Sequence, residues 1–258
     1  MLIEKSSEGD LEKIKQVFAY ISQESISLKE IGRNSNELNK FPILLCRLSE
    51  RGDLHALKQI LAYVNQENIS VEEMGVNNNK VNQGKKPAII DTISGLFGRT
   101  TLIEAAICGH HQICKYLITE QKANTEARDY YQMTALIHAA YSNSLELIKE
   151  LLQYKANCKT RDKSGRHAVY LAACEGNLDA LKLLVKNDGD VVDLKGLNGD
   201  APLIAASKRG YVDVCKYLVE ENKADIDLKD DWGKTALQYT CNPEIINIFR
   251  KKNLVAKK

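Results

Sequence analysis

The 258-residue sequence predicts an all-α solenoid of about seven helix-turn-helix units with projecting turns. Three observations carry this reading. A stretch of about 34 residues recurs in register through the C-terminal part. Apolar residues within each copy fall at three- and four-residue spacing, the period of an amphipathic helix. A second repeat, with a 43-residue offset, fills the N-terminal part. One such unit cannot bury its apolar face alone, whereas stacked copies bury a continuous core.

The clearest copy runs from Gly199 to Trp232. Gly199-Asp200 is a turn signal, and Pro202 suits the first turn of a helix. Leu203, Ile204, Ala206 and Ser207 are small or apolar at helical spacing, so this first helix is short and can approach its neighbours closely. Gly210 is its stop signal. A second helix is predicted from about Val212 to Glu221, with Val214, Cys215, Tyr217, Leu218 and Val219 on its apolar side. Asp230-Asp231-Trp232-Gly233 is the turn into the next copy.

Equivalent positions are Thr100, Thr134, His167, Ala201 and Thr235, separated by 34, 33, 34 and 34 residues. Around them stand Thr101-Leu102 with Ala105-Ala106 and Gly109, then Ala135-Leu136 with Ala139-Ala140. Ala168-Val169 follows with Ala172-Ala173 and Gly176, and the last copy has Gly233-Lys234-Thr235-Ala236-Leu237. This pattern of turn, Thr, Leu, paired Ala and Gly resembles the ankyrin repeat over roughly residues 98–250. One departure is plain. Where the family usually has His after the Leu, this chain has Ile103, Ile137, Tyr170, Ile204 and Gln238. The exchange is expected to lose a side-chain-to-backbone hydrogen bond and to add apolar packing.

Taken from the N-terminus, residues 9–36 and 52–79 are identical at 15 of 28 aligned positions, enough to read them as two copies of one divergent unit. Leu2 and Leu45 stand where the repeat Leu stands. Ser27 with Glu30, and Ser70 with Glu73, are capping boxes that predict one-turn helices at about 28–31 and 71–74. The connector after the second copy is longer by an insertion of 14 residues. Its end carries Ala88, Ile89, Ile90, Ile93, Leu96 and Phe97, more apolar area than an exposed loop normally holds. It either covers the junction between the two repeat types or belongs to a binding site. At the far end, Asn242 as N-cap, Pro243 at the first helical position and Glu244 in the first turn start a closing helix. Ile245, Ile246, Ile248 and Phe249 form its buried side, and the chain is expected to fray from Asn253. The whole, 1–258, reads as a single solenoid with capped ends, hence a monomer.

Composition sets limits. The net charge of +2 implies no bulk attraction to nucleic acid or membrane. No apolar run approaches the ~20 residues of a membrane span. The start of the chain is too charged for a secretory signal. Seven cysteines without a Cys-x-x-Cys pair read as thiols of a reducing, cytoplasmic compartment, with Cys114 and Cys215 on the apolar face of second helices. No phosphate loop, dinucleotide fingerprint or zinc-protease motif is present. His110, His138 and His167 stand at structural repeat positions, and acid pairs such as Asp230-Asp231 read as solvated turns. The sequence therefore predicts no catalytic, cofactor or metal site.

What the ankyrin resemblance implies is recognition of a protein partner by turn tips and by the exposed side of the first helices. The positions that match are Tyr130, Tyr131, Met133 and Tyr141, then Lys163, Arg166 and Glu175. Leu197, Asp200, Lys208 and Arg209 follow, and Asp231, Trp232 and Lys234 close the series. Aromatic and Arg side chains are typical anchors. Tyr130, Tyr131 and Trp232 can project from their turns or lie across the adjacent turn. Arg128, Arg161, Lys195 and Lys229 recur just before the turn and would line up as a basic row. The Asp129, Asp162 and Asp230 that follow them would partly neutralise it, which argues against nucleic acid. The expected function is that of an adaptor, inhibitor or targeting scaffold. In its Lys, Asn and Ile content the chain also resembles secreted ankyrin effectors of intracellular bacteria, which would act on a host protein in the host cytoplasm.

Overall fold

The computed structural model describes residues 40–66, 89–91 and 97–256, and every regular element among them is helical. The short helices expected at 28–31 and 71–74, and the repeat copy at 9–36, lie outside the described residues. The chain divides into two compact units, Met1–Tyr130 and Tyr131–Lys258.

In the first unit, α1 (Lys40–Arg51) and α2 (Leu54–Gln66) form the second of the 43-residue repeats. Leu45, at the repeat Leu position, is fully buried. Asp53 starts α2, its carboxylate accepting from the Ala56 amide at 2.9 Å. Next come α3 (Thr101–Ile107) and α4 (His111–Thr119). The Thr100 hydroxyl caps α3 by accepting from the Ile103 amide. His110, before α4, reaches back to the Glu50 carbonyl at 2.8 Å. It thereby satisfies one of the acceptors that a helix C-terminus leaves open.

The insertion ends in a 3₁₀ turn, Ile89–Asp91, that packs against both α1 and α3. Ile90 is buried there, and Asp91 accepts from the Asn124 amide at 2.8 Å. The second unit has the same device, with Asp193 accepting from the Asp225 amide at 3.1 Å after a 3₁₀ turn, Gly189–Val191. Ile89–Asp91 thus stands where the exit loop of a repeat stands and packs between the two repeat types; 80–88 and 92–96 lie outside the described residues.

The second unit repeats a short first helix and a longer second one. First helices are α5 (Ala135–Tyr141), α7 (Ala168–Cys174), α9 (Pro202–Arg209) and α11 (Ala236–Tyr239). Second helices are α6 (Leu145–Gln153), α8 (Leu178–Asn187), α10 (Val212–Lys216, continued by a π turn, Tyr217–Glu221) and α12 (Pro243–Ala256). Ala139, Ala140, Ala172, Ala173 and Ala206 are fully buried, so the first helices stack closely through their smallest residues. Asn177 starts α8 and donates to the carbonyls of Ala140 and Tyr141 at 3.0 and 2.9 Å, the work His110 does in the first unit. Lys252 of α12 donates to the Val219 carbonyl within the π turn. That helix is longer than expected: it runs through Asn253 to Ala256 rather than fraying there.

Two positions depart from the repeat pattern with a visible reason. Gln238 does not lose a side-chain bond, as its exchange for the usual His would suggest. Its Oε1 accepts from the Thr235 amide at 2.8 Å and completes a capping box. His167 stands where three of the other four copies have Thr and still caps its helix, Nδ1 accepting from the Tyr170 amide at 3.3 Å. Its other ring nitrogen, protonated, donates to the Leu194 carbonyl of the next repeat at 2.8 Å. The ring is therefore held neutral, and burial lowers its pKa to about 4. All seven cysteines are free thiols, and burial pushes Cys114 up to about 12 and Cys215 up to about 11.

Tyr170 explains a second gap. Every other inter-repeat turn of this unit has Asp at the matching place (Asp162, Asp230), but here stands Gly196. A Cβ at 196 would lie 2.5 Å from the Tyr170 ring. The ring packs with Ile137, Leu171 and Ala205, and Leu197 closes over it.

Both features give tests. In the unfolded chain His167 titrates near 6.5, and in the fold near 4. The unfolded state thus binds more protons between these values, and stability present above about 6.5 is lost as pH falls toward 4, by about 2–3 kcal/mol. His167→Thr keeps the cap without the titration. Thermal melts at pH 7 and 4.5 are expected to differ less in this variant than in the wild type. Gly196→Asp alone is expected to cost about 1–3 kcal/mol by overpacking. In the Tyr170→Ile background, measured by denaturant unfolding, most of that cost should disappear.

Candidate protein-interaction surface

The predicted surface residues fall on inter-repeat turns and on the C-terminal ends of first helices. The turns are held by buried carboxylates. Asp162 accepts from the amides of Ser164 and Arg166 at 2.9 and 2.8 Å, and from the Arg166 guanidinium at 2.7 Å. Asp230 accepts from the amides of Trp232 and Lys234, both at 2.9 Å, and from the Tyr239 hydroxyl. Asp230 is buried, and the reading of it as part of a solvated turn is therefore corrected; Asp129 and Asp162 are buried with it. Their repeat period was legible, but a recurring Asp before a turn reads equally as solvent-facing until its acceptors are placed.

The basic row is also used internally. Arg161 donates to the carbonyls of Gly165 and Lys195, and the Lys195 ammonium donates to the Lys229 carbonyl at 2.7 Å. Successive turns are further joined by backbone bonds, Lys163 amide to Tyr131 carbonyl at 2.9 Å and Asp231 amide to Asn198 carbonyl at 3.1 Å. Both the carboxylates and the bases fix the loop edge of the stack.

Against this frame the predicted residues separate. Tyr130, in the first unit, donates its amide to the Phe97 carbonyl at 2.8 Å, and its ring lies on Gly98, where a Cβ would come within 2.2 Å. It lies across the adjacent turn. Met133 and Leu197 are half-buried against the Tyr170 cluster. Arg166 is tied to Asp162. Tyr131, Tyr141 and Trp232 stay open, 52%, 54% and 60% exposed, the largest apolar areas offered on the loops and first helices of this unit. Lys163, Arg209, Asp231 and Lys234 are exposed around them, and Glu175 is half-buried.

Lys208, Trp232 and Lys234 meet in one cluster at the last turn, with Asp230 and Tyr239, two members the sequence reading did not single out as site residues. The Lys208 ammonium lies 2.7 and 2.8 Å from the Asp200 carboxylate and 3.8 Å from that of Asp230. It also sits 4.0 Å over the Tyr239 ring and 5.3 Å over that of Trp232. Asp200, expected on the surface, is buried. Burial raises its pKa, opposed by Lys208. Burial opposes the charge of Asp230 as well, but hydrogen bonds from Tyr239, Lys234 and Trp232 outweigh it and hold that carboxyl below the ordinary range. Tyr239, donating to Asp230, is pushed up to about 12.

Among the described residues no cluster of three or more His, Cys, Asp or Glu is arranged to hold a metal ion. No helix among them is long and apolar enough to cross a membrane.

Comparison with known proteins agrees with this architecture. The family model described as ankyrin repeats (3 copies) matches residues 44–162, 143–230 and 169–256. The chain belongs to the ankyrin repeat family. It is similar to the NF-kappa-B inhibitor cactus of Drosophila yakuba, 27% identical over 162 residues, covering 62% of this chain and 32% of that protein. The B-cell lymphoma 3 protein homolog of Mus musculus is 31% identical over 117 residues, 45% of this chain and 26% of that protein. The chain thus spans about a third of the length of the cactus proteins it matches.

Removing the Lys208 ammonium leaves the buried Asp200 carboxylate without its cation, while Asp230 keeps its three other donors. Lys208→Met is expected to cost about 2 kcal/mol in denaturant unfolding, below the usual cost of a broken buried pair because the lysine is partly exposed. Adding Asp200→Asn should recover part of it. Equal stability of Lys208→Met and wild type would show that the cluster contributes nothing.

Proposed function

We propose that this chain is a non-enzymatic protein-recognition module, an adaptor, inhibitor or targeting scaffold, whose second unit meets its partner with the turn tips and first-helix ends. The observation that carries this is the pairing of a fixed frame with exposed aromatics. Buried Asp162 and Asp230 set two of the turns; Trp232 stands open on the second, Tyr131 on the turn that the Lys163 amide bonds to, and Tyr141 at the end of α5. Large aromatic side chains on a preformed surface bury much area on binding and lose little conformational freedom. The similarity to cactus, an NF-kappa-B inhibitor, supports a regulatory role for a repeat array of this kind.

The test is affinity capture with wild type and with Tyr131→Ala/Trp232→Ala, read by mass spectrometry. Trp232 lies under Lys208, so the variant is expected to lose only about 1 kcal/mol of stability. A protein enriched on the wild type and at least tenfold reduced on the variant is the expected result. A partner retained equally on both would remove the tip surface from the account. Running the capture on a bacterial and an animal-cell lysate reads the effector alternative as well, which predicts a partner from the animal lysate only.

A further inference from the structure

We infer that the partner segment taken up by this surface is an extended, acidic polypeptide with aromatic or aliphatic side chains. This rests on the preceding reading of the loop edge as the interaction surface. The carrying observation is a segregation of charge within the second unit. The turns at 160–167, 194–201 and 228–235, with the first-helix ends at 141–142, 174–175 and 208–209, carry eight Lys or Arg against five Asp or Glu. The second helices and exit loops, 143–159, 176–193, 210–227 and 243–256, carry ten Lys or Arg against twelve Asp or Glu. The loop edge of the repeat stack is therefore net positive, while the second-helix side is close to balanced.

On the positive side, three of the five acids, Asp162, Asp200 and Asp230, are buried and committed to turns or to Lys208. The bases Lys163, Lys195, Arg209, Lys229 and Lys234 are exposed. Complementary potential of this kind steers encounter and selects against partners of the wrong sign. Polypeptide fits better than nucleic acid. Asp231 and Glu175 interrupt the bases, and a peptide with spaced acids can avoid both where a phosphate at every nucleotide cannot. The apolar anchors at Tyr131 and Trp232 also lie three repeats apart in register, about 30 Å at the usual spacing of packed helices. An extended strand of about nine residues covers that distance.

The experiment measures fluorescence anisotropy of the full chain with three labelled probes. One is a Glu-rich peptide of about twelve residues with a Tyr near each end, long enough for the span. The second has Lys in place of every Glu, and the third is a single-stranded oligodeoxynucleotide of similar length. The expected result is that the Glu peptide binds at least ten times more tightly than either other probe. Lys163→Glu/Lys229→Glu/Lys234→Glu should weaken it about tenfold, while the charge-matched outer variant Lys149→Glu/Lys186→Glu/Lys216→Glu leaves it within about twofold. Equal weakening by both triple variants, absence of a preference for the Glu peptide, or tighter binding of the oligonucleotide would overturn the inference. If capture has named a partner lost with Tyr131 and Trp232 yet the Glu peptide shows no preference, the acidic chemistry fails and the surface stands. If capture shows that the partner ignores those residues, the surface itself fails.

Discussion

The carboxylates of Asp162 and Asp230 sit where the chain reverses between repeats, and the loop edge depends on them. Each accepts from two amides of its own turn and from a side chain further on, Arg166 for Asp162 and Tyr239 for Asp230. A turn of this kind has more amides than its own carbonyls can satisfy, and buried amides left without acceptors are costly. The Asp supplies those acceptors. Once the turn is fixed, its flanking base reaches the carbonyl of the next turn, as Arg161 does beside Asp162; Lys195 makes the equivalent bond from the turn that has Gly196 instead. Stacking of first helices through paired alanines sets the distance at which this is possible. The exposed aromatics inherit a rigid platform from polar groups that never reach the surface.

This arrangement also sorts the charged residues into two kinds. Asp162, Asp200 and Asp230 are structural, and their partners Arg166 and Lys208 are held by them. The bases outside those pairs present charge outward. A lysine that donates to a carbonyl keeps its positive charge, so Lys195 both stitches the turns and contributes to the field of the edge. Structure and the proposed recognition therefore use the same row.

Much of the fold was legible in the sequence, because periodicity reports which residues share a repeat position. The stop at Gly210 and the closing helix after Asn242 follow from local chemistry, whereas Thr100 and Thr134 were legible as equivalent repeat positions and their capping bonds only from the structure. The repeat period gave the positions of the tips but not which donors cross from one repeat to the next. That is why Asp230 read as solvated, why Tyr130 could equally project or lie on Gly98, and why Arg161 read as part of an open row. The Tyr170 and Gly196 pair escaped for the same reason, since the two residues are far apart in sequence and meet only through stacking. Ile90 could be recognised as too apolar for an exposed loop, but its role as a repeat exit loop needed the Asp91 contact with Asn124.

The most direct measurement is site-specific photocrosslinking. A benzophenone-bearing residue is placed at Tyr131, at Trp232 and, as the outer reference, at Lys149 on α6, all three exposed. Adducts with the same partner from Tyr131 and Trp232, and none from Lys149, are the result this account predicts. Adducts confined to Lys149 would place the partner on the second helices and contradict it.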